Sequence, residues 1–275
     1  MKLCMTLLVR DEEDILDTHI RFHLARGVDF IIATDNLSED RSPEILRGFE
    51  RQGVLHLIRE PEDDYSQAKW VTRMARMAAT EYGADWVINS DADEFWWPER
   101  GNLESALASL PKDVDVVTAP RLNFVPRSEH LGPIFDRMTV REVQSLNPLG
   151  EPLPPKVCHR AFPDIKVEQG NHAVLGRDLK LLDNWEQIVI FHFPMRSYSQ
   201  FANKIRKGGR AYARNTALPP EMGSTWRELY RLYERGELEE YYARHEVQAD
   251  EIEEGIRHGR LVPDKRLQAF LTALR

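Results

Sequence analysis

The chain has 275 residues, 37 Lys and Arg against 45 Asp and Glu, and a formal net charge of −8, a length that gives room for one large domain with an appendage or for two domains. The acidic balance argues against wholesale binding to a nucleic-acid backbone, and two cysteines, Cys4 and Cys158, are too few for a disulfide framework or a thiolate zinc site, so reduced thiols in a cytoplasmic protein are expected. A short apolar run with one lysine before the acidic Asp11 to Asp14 does not suit an export signal, and no stretch approaches the roughly 18 apolar residues of a transmembrane segment.

The first apolar run, Leu3 to Val9, predicts a buried strand. A helix from about Glu12 to Arg26 follows, with Leu16, Ile20 and Leu24 on one face and Gly27 as its stop. A second strand, Phe30 to Ala33, leads to a helix with Ser42 as N-cap, Pro43 at the first helical position and Glu44 in the first turn. A strand at Val54 to Ile58 precedes a helix from about Ser66 to Tyr82, whose Val71, Met74, Ala75 and Ala78 share one side; its methionines read as core, and Gly83 ends it. Trp86 to Asn89 and Val114 to Thr118 complete the series. Such alternation predicts an α/β fold with a mostly parallel central sheet and helices on both faces, in which ligands sit beyond the carboxyl ends of the strands.

From Arg121 to Asn184 Pro and Gly punctuate short β-like pieces such as Lys156 to Ala161 and His172 to Leu175, and a last strand is predicted at Ile188 to Phe191. Beyond Pro194 the pattern is helical, with Trp226, Leu229, Leu232 and Tyr233 on one stripe and Leu267, Phe270 and Leu271 on another. The expected division is a catalytic domain over 1–195 and a helical C-terminal extension over 196–275. Periodicity leaves open whether these acidic, amphipathic helices pack on the catalytic domain or on a second subunit.

Polar residues at the strand ends are the candidate site. Asp91 and Asp93 follow the apolar Trp86-Val87-Ile88 and precede Phe95-Trp96-Trp97, at the boundary of the core. Two like charges there repel unless a cation neutralises them. Mg²⁺ or Mn²⁺, which bind through one or two carboxylates plus substrate phosphates, are the economical solution. From Arg196 to Arg214 six basic residues occur with no acidic one, just after His192, a pattern suited to a metal-bound diphosphate.

The ordered set Leu8-Val9-Arg10-Asp11-Glu12-Glu13, His23, Asp35-Asn36-Leu37-Ser38-Glu39-Asp40, Gln67, Asn89-Ser90-Asp91-Ala92-Asp93-Glu94-Phe95 and His192-Phe193-Pro194-Met195-Arg196-Ser197 with Gln200-Phe201 and Lys204 resembles the family-2-like glycosyltransferases. Within them it is most similar to a bacterial branch with DNxSxD and DADEF motifs, which is similar to the eukaryotic family 92 enzymes. The resemblance covers roughly residues 1–207. It implies a GT-A fold and transfer of a sugar from a nucleotide-diphosphate donor, a UDP- or GDP-sugar, to a glycan or other hydroxyl acceptor. Carried over, Asp91 and Asp93 hold the metal and bridge to the diphosphate, His192 completes the metal site, and Asp35 contacts the nucleoside. Arg10, Glu12, Gln67 and Lys204 join the donor-binding set, Lys204 at the β-phosphate. Thr34-Asp35-Asn36 departs from the two consecutive aspartates of many members, which leaves the nucleotide base unassigned.

Inversion needs a general base on the opposite face of the sugar. Glu168 and His172, in a Gly-containing turn between short strands, are the candidates. A nucleotidyltransferase or other metal-dependent phosphoryl enzyme also uses paired carboxylates at a sheet edge, but here the only Gly pair, Gly208-Gly209, falls in the basic segment and not after the first strand. A non-catalytic sugar-binding module is the remaining alternative.

Overall fold

The computed structural model describes residues 1–64, 66–176, 178–183, 185–215, 219 and 223–274. In chain order the elements are β1 (Leu3–Val9), α1 (Leu16–Ala25), β2 (Phe30–Asp35), α2 (Ser42–Arg51), β3 (Leu55–Arg59), α3 (Gln67–Thr80), β4 (Trp86–Asp91), β5 (Glu94–Pro98), α4 (Leu103–Ala108), β6 (Val116–Ala119) and β7 (Arg121–Asn123). There follow α5 (Ile134–Arg137), β8 (Val140–Glu142), β9 (Lys156–Arg160), β10 (Lys166–Val167), β11 (Val174–Leu175), β12 (Leu181–Leu182), β13 (Ile188–His192), α6 (Tyr198–Arg214), α7 (Ser224–Glu234), α8 (Leu238–His245), α9 (Ala249–Arg257), β14 (Leu261–Pro263) and α10 (Arg266–Leu274). The chain forms two compact units, Met1–Arg121 with Pro154–Ile190, and Leu122–Leu153 with Phe191–Arg275.

The first unit is built on a seven-stranded sheet in the order β12-β6-β9-β4-β1-β2-β3. β1 pairs in parallel with β2 and β4, β2 with β3, and β12 with β6. Only β9 runs against its neighbours, antiparallel to both β4 and β6. Side chains alternate across the sheet with period two. Leu3, Met5, Leu7 and Val9 therefore join the cluster holding Leu16 and Ile20 of α1, Leu46 and Phe49 of α2 and Leu107 of α4, while Cys4 lies in a second cluster with Val71, Met74, Ala75 and Ala78 of α3. Helices cover both faces, which is why the central strands are apolar on both sides. The mostly parallel α/β sheet is the architecture the alternation predicts.

Two local expectations change. α1 begins at Leu16, not near Glu12, and Ser42 is the first residue of α2, not its cap. The Ser42 hydroxyl instead accepts the Glu12 N–H at 2.9 Å, tying the start of α2 to the loop after β1, while Asp40 Oδ1 takes the Ser42 N–H at 2.8 Å. The apolar run that follows Asp93 forms β5, in which Phe95 and Trp96 are fully buried.

In the second unit α6, α7 and α8 meet around Phe201, Ile205, Leu229, Leu238 and Tyr242. Ser197 caps α6, accepting the Gln200 N–H at 3.2 Å. The Gly208-Gly209 pair has a packing reason: a Cβ on either would lie 2.4 Å from Trp226 or Tyr230 of α7, so only glycine lets the two helices approach this closely. Leu267 and Leu271 are buried and Phe270 half-buried on α10. Among the described residues, no helix is long and apolar enough to cross a membrane.

Burial pushes the His19 and His159 rings of the first unit down to about 4. Unfolded, these rings take a proton below about 6.5, whereas folded they stay neutral to about 4. Stability is therefore expected to fall between those two values, by about 1.4 kcal/mol per pH unit for each ring, and to level off for these groups below the folded value. Urea denaturation at a series of pH values from neutral down to about 4.5 tests this. H159Q should remove one ring's share of the slope, and an unfolding free energy flat across the range would contradict the assignment.

Candidate active site at the carboxyl edge of the sheet

The loops after β1 and β2 are stitched to each other. The Asp11 N–H donates to Ser38 Oγ at 3.0 Å, and Asp11 Oδ1 accepts the Glu39 N–H at 2.6 Å. One turn on, Asp40 Oδ2 accepts the Glu13 N–H at 2.9 Å while Glu13 Oε2 accepts the Arg41 N–H at 3.0 Å. Asn36 Nδ2 donates to the carbonyls of Glu60 and Glu62 beyond β3. Asn36, Ser38 and Asp40 thus hold three loops in one arrangement. The frame keeps non-glycine residues in the left-handed region, Asp11 at φ 55° and Leu37 at φ 57°, a conformation that surroundings must impose.

Of the predicted donor-site residues on these loops, Asp35 is buried and its Oδ1 has no hydrogen-bond donor. Burial raises its carboxyl above the usual range, against the pull of Ser38 and of Arg59. Glu12 is buried at the head of α1, where its carbonyl accepts from Ile15 and Leu16. Arg10 pairs with Asp63 at 2.6 Å, so much of its charge is compensated within the chain.

The β4–β5 turn carries Asp91 and Asp93. Asp93 is buried, whereas the Asp91 side chain is 32% exposed, which makes Asp91 the more open of the two carboxylates. The neutralising cation beside Asp91 is a side chain, Lys156, whose Nζ lies 2.5 Å from Oδ2. Reversal of β9 puts it there. In the register Val87 with His159 and Ile88 with Cys158, the first residue of β9 arrives at the carboxyl end of β4. Lys156 also lies 3.2 Å from the fully buried Glu94, and Arg121, following β6 at the same edge, lies 3.7 Å from it. Burial pushes the Glu94 carboxyl up, and Lys156 opposes that shift.

The other Asp91 oxygen, Oδ1, accepts from Gln67 Nε2 at 3.2 Å and from Asn171 Nδ2 at 3.3 Å. Gln67 Oε1 in turn accepts the Gly170 N–H at 3.2 Å, and Gln169 Oε1 accepts the Ala68 N–H at 3.0 Å. Gln67, predicted as a donor contact, is a strut between Asp91 and the turn at 168–172. That turn bends through Gly170 at φ 80° and Asn171 at φ 61°. The two candidate bases differ within it: Glu168 is exposed, and His172 is half-buried with Nδ1 2.8 Å from the Pro155 carbonyl. That contact puts the proton on Nδ1 and leaves the lone pair on Nε2. Burial, aided by Lys156 and Arg121, pushes the ring down to about 4, so it is neutral at physiological pH.

From beneath, α1 fixes the β4–β5 turn. His19 Nε2 donates to the Glu94 carbonyl at 3.0 Å, and His23 Nε2 accepts the Trp96 N–H at 3.1 Å while its Nδ1 donates to the His19 carbonyl. Their i, i+4 spacing within a helix of apolar face was the available signal. Nothing in the sequence pointed to Lys156.

In the second unit lie His192 and Lys204. Asn123 Nδ2 donates to Glu142 Oε2 and the Leu146 carbonyl, so its Oδ1 faces His192 Nδ1 at 2.8 Å. The ring therefore carries its proton on Nδ1 and its lone pair on Nε2, oriented by an amide and a carboxylate behind it. Lys204 is half-buried on α6.

No family model and no curated protein matches the chain. Among solved structures, S. aureus TarS 1-349 in complex with UDP aligns at TM-score 0.47 and 14% identity over 85% of this chain and 72% of that one. The same protein in complex with UDP-GlcNAc aligns at TM-score 0.46 and 12% identity over 94% and 93%. Glucosyl-3-phosphoglycerate synthase from Mycobacterium tuberculosis, in complex with Mn²⁺, UDP and phosphoglyceric acid, aligns at TM-score 0.32 and 16% identity over 44% and 43%.

If Gln67 is a strut, Q67A leaves a backbone donor and a carboxylate oxygen short of a partner. The unfolding free energy in urea is expected to drop by about 1 to 3 kcal/mol. Unchanged stability would return Gln67 to a purely ligand-facing role.

Proposed function

We propose that the chain is a nucleotide-sugar glycosyltransferase of GT-A type, moving a sugar from a nucleoside diphosphate to an acceptor hydroxyl with inversion and with the aid of Mg²⁺ or Mn²⁺. The observation that carries the reading is the convergence at one sheet edge of Asp91, a strained loop frame and a neutral histidine. The open carboxylate, the buried Asp35 with an unsatisfied oxygen, and His172 all lie where strands β1, β2 and β4 end and the reversed β9 begins. Ligands of open α/β sheets bind at that edge.

The donor set is hard oxygen, which suits Mg²⁺ or Mn²⁺. Among the described residues no three His, Cys, Asp or Glu side chains form a group able to hold an ion. The carboxylates of this edge fit an ion shared with donor phosphates and water, with Asp91 and Asp93 as its protein ligands. Such an ion, when bound, offsets charge on the departing diphosphate. Asp35 accepts from the nucleoside, and Arg10 and Glu12 of the loop after β1 complete the donor-binding set. His172 accepts the acceptor's proton at Nε2, its Nδ1–H held on Pro155 so that the lone pair keeps one direction.

D91N and D93N should abolish metal-dependent nucleotide binding in a thermal-shift panel of UDP, GDP, CDP and dTDP with and without Mn²⁺. Normal binding by both variants would remove the carboxylates from the donor site.

H172Q should lower kcat by about 10²- to 10⁴-fold with little change in donor binding. Because the ring stays neutral down to about 4, the wild-type rate should hold well below pH 6.5 and fall only towards pH 4. A wild-type rate halved near 6.5, or full activity in H172Q, would reject His172 as the base.

A further inference from the structure

Lys156 is a lysine with 2% of its side chain exposed, set between Asp91 at 2.5 Å and the fully buried Glu94 at 3.2 Å. A buried ammonium with two carboxylate contacts cannot leave without stranding charge on both sides. It is too enclosed to serve as a docking point for a diphosphate. Lys156 and, at 3.7 Å from Glu94, Arg121 stand against Asp91 and Glu94, so the more open carboxylate of the β4–β5 turn is paired with a cation of the chain itself.

We propose that Lys156 is the resident cation of the donor site and makes divalent-ion binding conditional on the nucleotide. A dication approaching Asp91 alone meets a carboxylate whose charge is cancelled and an ammonium beside it that repels. A diphosphate restores negative charge at the edge, and the ion then enters with it. Asp91 keeps its direction throughout, because Gln67 and Asn171 hold Oδ1 while Lys156 holds Oδ2. Lys156 is thus a positioning residue that acts through Asp91. The inference rests on the reading that Asp91 faces the metal and diphosphate.

The test is Mn²⁺ binding by the full chain, followed by loss of the free-ion EPR signal, without nucleotide and with UDP or GDP. Wild type and K156R are expected to bind Mn²⁺ weakly alone and at least about tenfold more tightly with a diphosphate. K156M should bind Mn²⁺ alone at least about tenfold more tightly than wild type and gain less from nucleotide. Where K156M does not fold, K156M/E94Q removes both charges of the buried pair and still frees Asp91. Wild type binding Mn²⁺ alone as tightly as these variants overturns the role of Lys156 and leaves the glycosyltransferase reading standing. Failure of every protein to hold Mn²⁺ even with nucleotide overturns that reading and the inference together.

Discussion

The reversal of β9 between β4 and β6 is the constraint on which the candidate site depends. In a fully parallel sheet the first residue of a strand lies at the edge away from the ligand. Running β9 backwards brings Lys156 to the carboxyl end of β4, within 2.5 Å of Asp91, with Pro155 placed to hold His172. One topological choice therefore supplies a cation for the acidic edge and a fixed tautomer for the histidine. Buried, paired charges are weak contributors to stability when compared with apolar replacements, so their retention here is understood through the geometry they impose.

Around this pair the site is held by backbone strain and by side chains bonded to backbone groups of other loops. Asp11, Leu37 and Asn171 all occupy the left-handed region, and all three belong to loops of the first unit that carry candidate site residues. Each such residue costs on the order of 1 kcal/mol or more and persists only where neighbours overdetermine it. For Asp11 the neighbours are Ser38 and Glu39. For Asn171 they include Asp91 itself. Cross-bonded in this way, the loops hold their polar groups in fixed directions, the condition under which electrostatic stabilisation needs no reorganisation.

The second unit follows different physics. Its helices meet through aromatic side chains and two adjacent glycines, and the basic residues of α6 are not uniformly solvated: Lys207 is buried, as is Arg196 just before the helix. His192 is oriented from behind by Asn123 and Glu142, a shell assembled from three separate stretches of chain.

Strands, helix faces and the placing of acidic residues at strand ends are legible along the chain, because these follow from periodicity and from what can be buried. The apolar runs at Leu3, Trp86 and Ile188 and the stripe Val71, Met74, Ala75 and Ala78 were legible for that reason. Which polar groups meet depends on the three-dimensional arrangement. Ser42 reads as a helix cap in isolation, yet its hydroxyl serves Glu12, thirty residues earlier; Gln67 reads as a ligand contact, yet it braces Asp91 against Gly170. Lys156 carried no local signal, since a lysine at the start of a short strand is ordinarily exposed. Local propensity depends on neighbours within a turn or two, whereas the partner of a buried charge is chosen by strand order and direction, and here β9 runs against its neighbours.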